Sequence, residues 1–195
     1  MPAIKNKSLL IIFAVLAVLL LYGIISYNGF VSKEEKVITT YNNLQANYQR
    51  RFDLIPMLTQ VVKASSEYEQ KTLVQLAEIR AKAGSVTTMP PTEAGLKNLE
   101  SGQSEFATSF NRVLAVLENY PEVKAQRNFL ALQDQIKGTE RRIRVARGDF
   151  NEAVRMYNTS LRTFPSSLMA KLFGFKTKDG FVAEENAKNI VEIKF

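Results

Sequence analysis

The sequence predicts an all-α protein, an antiparallel four-helix bundle that follows an N-terminal transmembrane helix. Three observations lead to this class: one long uncharged apolar run near the N-terminus, apolar residues that recur at helical spacing through the rest of the chain, and no stretch with the alternation of a strand. The 195 residues allow one domain with an appendage. We expect a segment 1–32 that holds the membrane helix at about 9–27, a bundle over 33–173, and a C-terminal segment 174–195 folded back on the bundle.

Composition excludes several classes of chemistry. The chain has no His and no Cys, so a disulfide framework, a thiol nucleophile, a zinc finger and a histidine base are ruled out, and a metal would need oxygen ligands alone. We therefore expect no catalytic, cofactor or metal site and interpret the protein as a non-enzyme. The net charge of +7, from 26 Lys and Arg against 19 Asp and Glu, suits an acidic partner or anionic lipid. Specific nucleic-acid binders usually show denser basic clusters.

The first predicted element is a membrane span. The run LLIIFAVLAVLLLYGII, from Leu9 to Ile25, has 17 residues without a charge. At 1.5 Å per residue it is about 25 Å long, close to the roughly 30 Å hydrocarbon core of a bilayer. A cleaved signal peptide is the alternative, because Lys5 and Lys7 form a short basic region, but the run is longer than usual and no A-x-A-like site follows it. The flanking cations are nearly balanced and slightly favour an external or periplasmic bundle.

Helices are then predicted at 33–51 and 54–83, with Ser65 as a candidate bend in the second. Between them, Arg50 and Arg51 suit a helix C-terminus and Asp53 suits a helix N-cap, so we expect a turn there. Only about eight residues, 26–33, separate the membrane span from the first bundle helix. We therefore expect one continuous or gently bent helix from the span to Arg50.

A loop follows at 84–92, where GSVTTMPPT combines Gly, Ser, Thr and two prolines. Two further helices are predicted at 93–119 and 122–163, with Pro121 suited to a first turn. Beyond them, several large apolar residues favour a segment that folds back on the bundle, since exposed aromatic side chains invite aggregation. These residues are Leu172, Phe173, Phe175 and Phe181.

Four stretches of the sequence carry a family resemblance. YQRRFDLIPML at 48–58 is similar to the QxRRxDLIPNL motif of LemA family proteins, and NYPEVKAQRNFLALQDQI at 119–136 is similar to their AYPxLKANxNFLxLQxxL segment. TERRIRVARGDFNEAVRMYNTSLRTFP at 139–165 resembles their TENRIxxARxxYNxAVxxYNxxIxxFP segment, and LFGFK at 172–176 resembles their LFGFK close. The resemblance implies a single-span protein of the bacterial cell membrane with an antiparallel helical bundle. It implies no particular molecular activity.

Two groups of polar residues are candidate sites. The first is a predicted interhelical network that sets helix register, formed by Arg50, Arg51, Asp53, Glu140, Arg141, Asn151 and Asn158. Capping and compensation of helix dipoles is the alternative explanation for its first three members. The second group is a candidate basic surface with spacings of four, three and three residues, formed by Lys137, Arg141, Arg144 and Arg147. Such a surface binds anionic lipid or an acidic partner, or is an ordinary solvated helix face.

The predicted function is a membrane-anchored scaffold or adaptor that acts by protein–protein interaction, because an anchor, a rigid bundle and a complementary surface are all that this role needs. A subunit or regulator of a membrane-bound enzyme complex, or an enzyme that uses carboxylate chemistry, is the alternative. The expected partners are the lipid bilayer, through residues 9–25, and a membrane protein of unknown identity. Self-association stays open, and no cofactor and no specific nucleic acid are expected.

Overall fold

All regular secondary structure in the described part of the chain is helical, as the sequence predicted. The structure is a computed structural model that describes residues 3–63, 70–86, 91–117 and 127–181. Six helices lie within these residues: α1 Ala3–Phe52, α2 Leu54–Lys63, α3 Gln70–Val86, α4 Glu93–Leu117, α5 Arg127–Arg162 and α6 Ser166–Phe173. Ser65 and Pro121, where a bend and a helix start were predicted, lie outside the described residues.

The chain forms two compact units. The first unit comprises Met1–Thr39 and Glu152–Lys178, and the second comprises Thr40–Asn151 and Asp179–Phe195. Two of the three boundaries fall inside a helix, so α1 and α5 each contribute one part to each unit; the third follows Lys178, after α6.

The long helix α1 runs without a break from Ala3 to Phe52. Gly29 lies inside it, and a glycine in a helix interior costs only about 0.5–1 kcal/mol relative to alanine. The helix ends where the turn was predicted: α2 begins at Leu54, and the Asp53 amide donates to the Gln49 carbonyl oxygen at 3.0 Å. Arg50 and Arg51 lie in the last turn of α1, where positive charge is favourable.

The second unit has a hydrophobic core built from the end of α1 and from α2, α3, α4 and α5. Its buried residues repeat at helical spacing: Ile55, Leu58 and Val62 in α2, Leu76 and Ile79 in α3, Phe106, Phe110, Val113 and Leu117 in α4, and Phe129 and Leu132 in α5. Phe52 of α1 meets Phe106 edge to face, with ring centroids 4.8 Å apart. Full burial of each such side chain contributes about 1.5–3 kcal/mol, so this core is the main source of stability in the unit.

In the first unit, α6 and the chain that follows it pack on α1. The α6 helix ends at Gly174, whose φ of 76° is the left-handed conformation that glycine adopts without strain. The Gly174 and Phe175 amides donate to the Lys171 and Ala170 carbonyl oxygens, the paired bonds of a Schellman motif. The turn brings Phe175 back to α1, where its ring lies 5.2 Å from that of Phe30.

Candidate functional site

Polar side chains from α1, α4 and α5 line a cavity of about 340 Å³ in the second unit, which we call the polar cavity. The residues that decide its chemistry are Tyr48, Arg51, Glu100, Gln103, Glu140 and Arg147. The same three helices contribute residues to the hydrophobic core, so the cavity borders the core.

Arg51 and Glu140 form the shorter of the two ion pairs described among the residues that line this cavity. Arg51 Nη2 donates to Glu140 Oε1 at 2.6 Å, and the Arg51 guanidinium lies 5.2 Å from the centroid of the Phe106 ring. The Arg51 side chain is 9% exposed, whereas that of Glu140 is 47% exposed. Burial lowers the pKa of Arg51 and the nearby Glu140 charge opposes this effect. The guanidinium stays charged, because its pKa lies far above neutral pH.

Arg147 makes a second polar group in the same cavity. Its Nε donates to the Tyr48 hydroxyl oxygen at 2.8 Å, and its Nη1 lies 3.4 Å from Glu100 Oε1. The guanidinium also lies 4.9 Å from the centroid of the Phe181 ring. Burial raises the pKa of Tyr48, although the positive charge of Arg147 works against that increase. Tyr48 is therefore a neutral hydrogen-bond acceptor at physiological pH.

Gln103 is buried beside these pairs without a partner. Gln103 is only 3% exposed. Neither its Nε2 nor its Oε1 has a hydrogen-bond partner among the described residues. Buried polar groups are nearly always paired, so an unpaired amide at this position is unusual. Gln103 lies four residues after Leu99 and three before Phe106, both buried, and so occupies an apolar position of α4.

A second concave surface lies between α1 and α5 in the second unit. We call it the basic cleft; it has a volume of about 410 Å³, and Arg50, Arg141, Arg142 and Val145 are among its lining residues. A neighbouring cavity of about 560 Å³ is also lined by Arg50 and Arg142. Within the described residues, none of the three arginines forms a salt bridge. One carboxylate, that of Asp149, also lines the cleft, so its lining carries an excess of positive charge.

The other predicted network residues lie elsewhere. Asp53 is exposed, and its Oδ1 accepts a hydrogen bond from Gln49 Nε2 at 3.0 Å. Asn158, in the first unit, donates from Nδ2 to the Lys178 carbonyl oxygen at 2.7 Å and accepts from the Lys178 amide at 2.9 Å. Asn151, in the second unit, makes the same two bonds with the backbone of Phe181. Of the seven residues, the structure pairs only Arg51 and Glu140 with each other among the bonds it describes.

The structure divides the predicted basic surface. Arg141 lines the basic cleft, whereas Arg144 and Arg147 line the polar cavity. Lys137 is exposed on α5. Sequence analysis missed Arg142, which joins Arg141 in the cleft, and it missed Glu100 and Gln103. The signal for Gln103 was present, because it is a polar residue in the middle of the apolar positions of α4.

The polar cavity and the basic cleft differ in the charges that line them. In the polar cavity each of the two carboxylates, Glu140 and Glu100, forms an ion pair with an arginine. No group of three or more carboxylates that could hold a metal ion occurs in the searched residues. The basic cleft is lined by three arginines, by the carboxylate of Asp149 and by an exposed apolar side chain, Val145.

Comparison with known proteins places the chain in a family. The model of the LemA family matches residues 40–195. Magnetosome proteins MamQ 2 and MamQ 1 of Paramagnetospirillum magneticum are each 24% identical to the chain over 198 residues, which covers 92% of the chain and 71% of each relative. Magnetosome protein MamQ of Magnetospirillum gryphiswaldense is 23% identical over 174 residues, covering 80% of the chain and 64% of the relative. Because the family match spans most of its length, this chain belongs to the LemA family.

Proposed function

We propose that the protein is a membrane-anchored helical-bundle scaffold or adaptor that acts by protein–protein interaction and not by catalysis. The observation that carries the proposal is the exposed apolar run of α1. Between residues 9 and 25 its Leu, Ile, Val and Phe side chains are 52–69% exposed. Apolar surface of this extent is stable in a hydrocarbon environment and aggregates in water.

The dimensions of α1 support a single membrane span. It is a helix long and apolar enough to cross a bilayer, as judged from its length and composition. The 17 uncharged residues of the run correspond to about 25 Å of helix, and the flanking residues extend this toward the roughly 30 Å of a hydrocarbon core. All backbone groups inside the run bond within the helix, as the membrane interior requires. We propose the bacterial cell membrane as the location, with the bundle on its external or periplasmic side.

The basic cleft of the second unit is the proposed partner surface. Arg50, Arg141 and Arg142 present positive charge, and Val145, which also lines the cleft, adds an exposed apolar contact. Interfaces use arginine because its planar guanidinium makes paired hydrogen bonds to carboxylates. We therefore propose that the partner is a membrane protein with an acidic, partly apolar segment.

Site-directed crosslinking in native membranes tests this function. A photoreactive amino acid replaces Val145 in the cleft, or Val74 on α3 as the matched control; the two valines are 57% and 52% exposed. We expect a defined protein adduct from position 145 and none from position 74. Because the cleft is basic, Arg142→Glu should abolish the adduct by reversing one of its charges.

The outcomes separate the two parts of the proposal. Identical adducts at both positions, or an adduct that survives Arg142→Glu, would show that the cleft is not the partner surface. The anchor has its own test, since an integral membrane protein stays in the pellet during alkaline carbonate extraction. Release of a shortened chain that begins near Tyr27 would show that the apolar run is a cleaved signal peptide.

A further inference from the structure

Large apolar side chains cover the outer side of α6 in the first unit. Leu168 and Leu172 are four residues apart and so lie on the same side of the helix, with exposed fractions of 56% and 73%. Phe164, two residues before the helix, is 78% exposed. We call these three residues the α6 patch. A cluster of this kind marks a surface that contacts another apolar phase or molecule.

The opposite side of α6 packs on α1. A β-carbon at Gly23 would lie 3.8 Å from Phe173 Cζ and 3.9 Å from Met169 Sδ, which is van der Waals contact. The Phe173 ring also meets the Tyr27 ring edge to face, with centroids 5.3 Å apart. These contacts hold α6 beside residues 23–27 of α1, so its outward side is the one that carries the α6 patch.

This position places the α6 patch beside the end of the apolar run. Gly23 is two residues before Ile25, which ends the run and is itself exposed. At the start of α6, the Ser166 and Tyr22 hydroxyl groups are hydrogen-bonded at 3.0 Å. The outward side chains of α6 therefore extend the exposed apolar surface of residues 9–25 at the end of that run, near Ile25.

We propose that α6 is an interfacial helix whose patch inserts into the bilayer at the boundary between acyl chains and headgroups. The proposal rests on the proposed function, in which residues 9–25 span the membrane. Helices of this type bury an apolar side roughly 5–10 Å into the boundary region and keep polar residues in the headgroup layer. The α6 helix gives the anchor a second, shallow contact with lipid next to the span.

The charged residues around α6 agree with this depth. Lys171 is exposed on α6, and its long aliphatic stem lets the ammonium group reach the phosphate layer. Farther along α1, Glu34 Oε1 forms an ion pair with Lys178 Nζ at 2.9 Å. Glu34 lies nine residues beyond Ile25, about 14 Å along the helix, which places this pair outside the hydrocarbon core.

Tryptophan fluorescence tests the proposal, because the chain has no natural tryptophan. Single variants Leu172→Trp, Leu16→Trp and Met156→Trp of the full chain are reconstituted in phosphatidylcholine vesicles. The lipids carry bromine either near the headgroup end or near the terminal end of the acyl chains. We expect Leu172→Trp to lose most emission with bromine near the headgroup end, and Leu16→Trp to lose most with bromine near the chain terminus. Met156, exposed on α5 in the same unit, is the control that should lose none.

Each result supports or overturns the proposal. Loss of emission at Leu16→Trp but none at Leu172→Trp would overturn the interfacial helix and leave the membrane span intact. In that case a blue-shifted Leu172→Trp emission would assign the α6 patch to a second copy or another protein. Equal loss at Met156→Trp and Leu172→Trp would also overturn it, because lipid contact would then not be specific to the patch. If bromine at neither position reduced the emission of Leu16→Trp, residues 9–25 would not span the membrane, and the proposal would be overturned together with the span.

Discussion

Arg51 shows how one buried charge depends on a partner far away in the sequence. Its guanidinium is paired with Glu140, 89 residues later, and is largely removed from water. Removing the carboxylate leaves a buried charge without compensation, which costs more than the pair itself contributes. We expect Glu140→Gln to lower the free energy of unfolding by about 1–3 kcal/mol, since Glu140 is itself half exposed. Thermal unfolding followed by circular dichroism in detergent micelles measures this change.

Two further variants control this measurement. Glu152→Gln removes one partner of the exposed pair with Arg155 and should have little effect on the melting temperature, because exposed pairs are screened by water. Adding Arg51→Met to Glu140→Gln should recover part of the loss, since the buried charge is then gone as well. A melting temperature unchanged by Glu140→Gln would mean that Arg51 is solvated in the folded state.

Gln103 leads to a prediction of the opposite sign. An unpaired buried amide costs free energy that a methionine of similar length does not. We expect Gln103→Met to raise the free energy of unfolding by about 1 kcal/mol, measured by chemical denaturation. The exposed Gln135 is the control, and Gln135→Met should change little. A loss of stability in Gln103→Met would show that the amide has a partner in solution, such as a bound water or ligand in the polar cavity.

At the scale of elements, one asparagine ties the chain after α6 to α5. The Asn158 amide makes two hydrogen bonds with the backbone of Lys178, one as donor and one as acceptor. We expect Asn158→Ala to speed hydrogen exchange at the Lys178 amide by about 10-fold, which corresponds to the roughly 1.4 kcal/mol that these bonds contribute.

Two variants test the specificity of this tie. Asn158→Asp keeps the acceptor for the Lys178 amide and loses the donor, so its effect should be intermediate. Thr163 directly follows α5, and its Oγ1 donates a hydrogen bond to the Thr159 carbonyl oxygen. Thr163→Ala removes this bond and should not affect exchange at Lys178. If exchange at Lys178 is unchanged in Asn158→Ala, other contacts hold this segment, such as the Lys178–Glu34 ion pair and the bond from the Tyr157 hydroxyl to the Lys176 carbonyl oxygen.

At the scale of the whole molecule, buried tyrosines set the response to alkaline pH. Burial raises the pKa of Tyr41, Tyr48 and Tyr157 above the ordinary value of 10.0. Above that value the unfolded chain loses phenolic protons that the folded protein keeps, so unfolding releases protons. We expect the free energy of unfolding to be constant with respect to these groups below pH 10.0 and to fall as pH rises toward their raised pKa values.

Denaturation at a series of alkaline pH values measures this dependence, and absorbance of the phenolate reports the ionisation directly. The Tyr48→Phe variant should show a shallower fall, because it lacks one of the three groups. A fall of equal slope in Tyr48→Phe would assign the alkaline dependence to other groups.

Local features of the chain determined its helices. Uncharged residues from 9 to 25 predicted the apolar part of α1, and Arg50, Arg51 and Asp53 predicted the turn between α1 and α2. These features depend on neighbours within a few residues, where backbone preference, helix dipole and side-chain spacing act. The motifs that resemble LemA proteins are also local stretches of sequence, and they predicted the family that the family match confirms.

Only the tertiary structure decided which polar side chains meet. Arg147 was predicted to belong to a basic surface, but its guanidinium turns to Tyr48 and Glu100, 99 and 47 residues away. Asn158 was predicted to bind other helices and instead binds the backbone at Lys178. Such pairings depend on the axial position and rotation of one helix against another, which core packing determines. A shift of one residue turns a side chain by about 100° around its helix, so sequence spacing alone cannot select its partner.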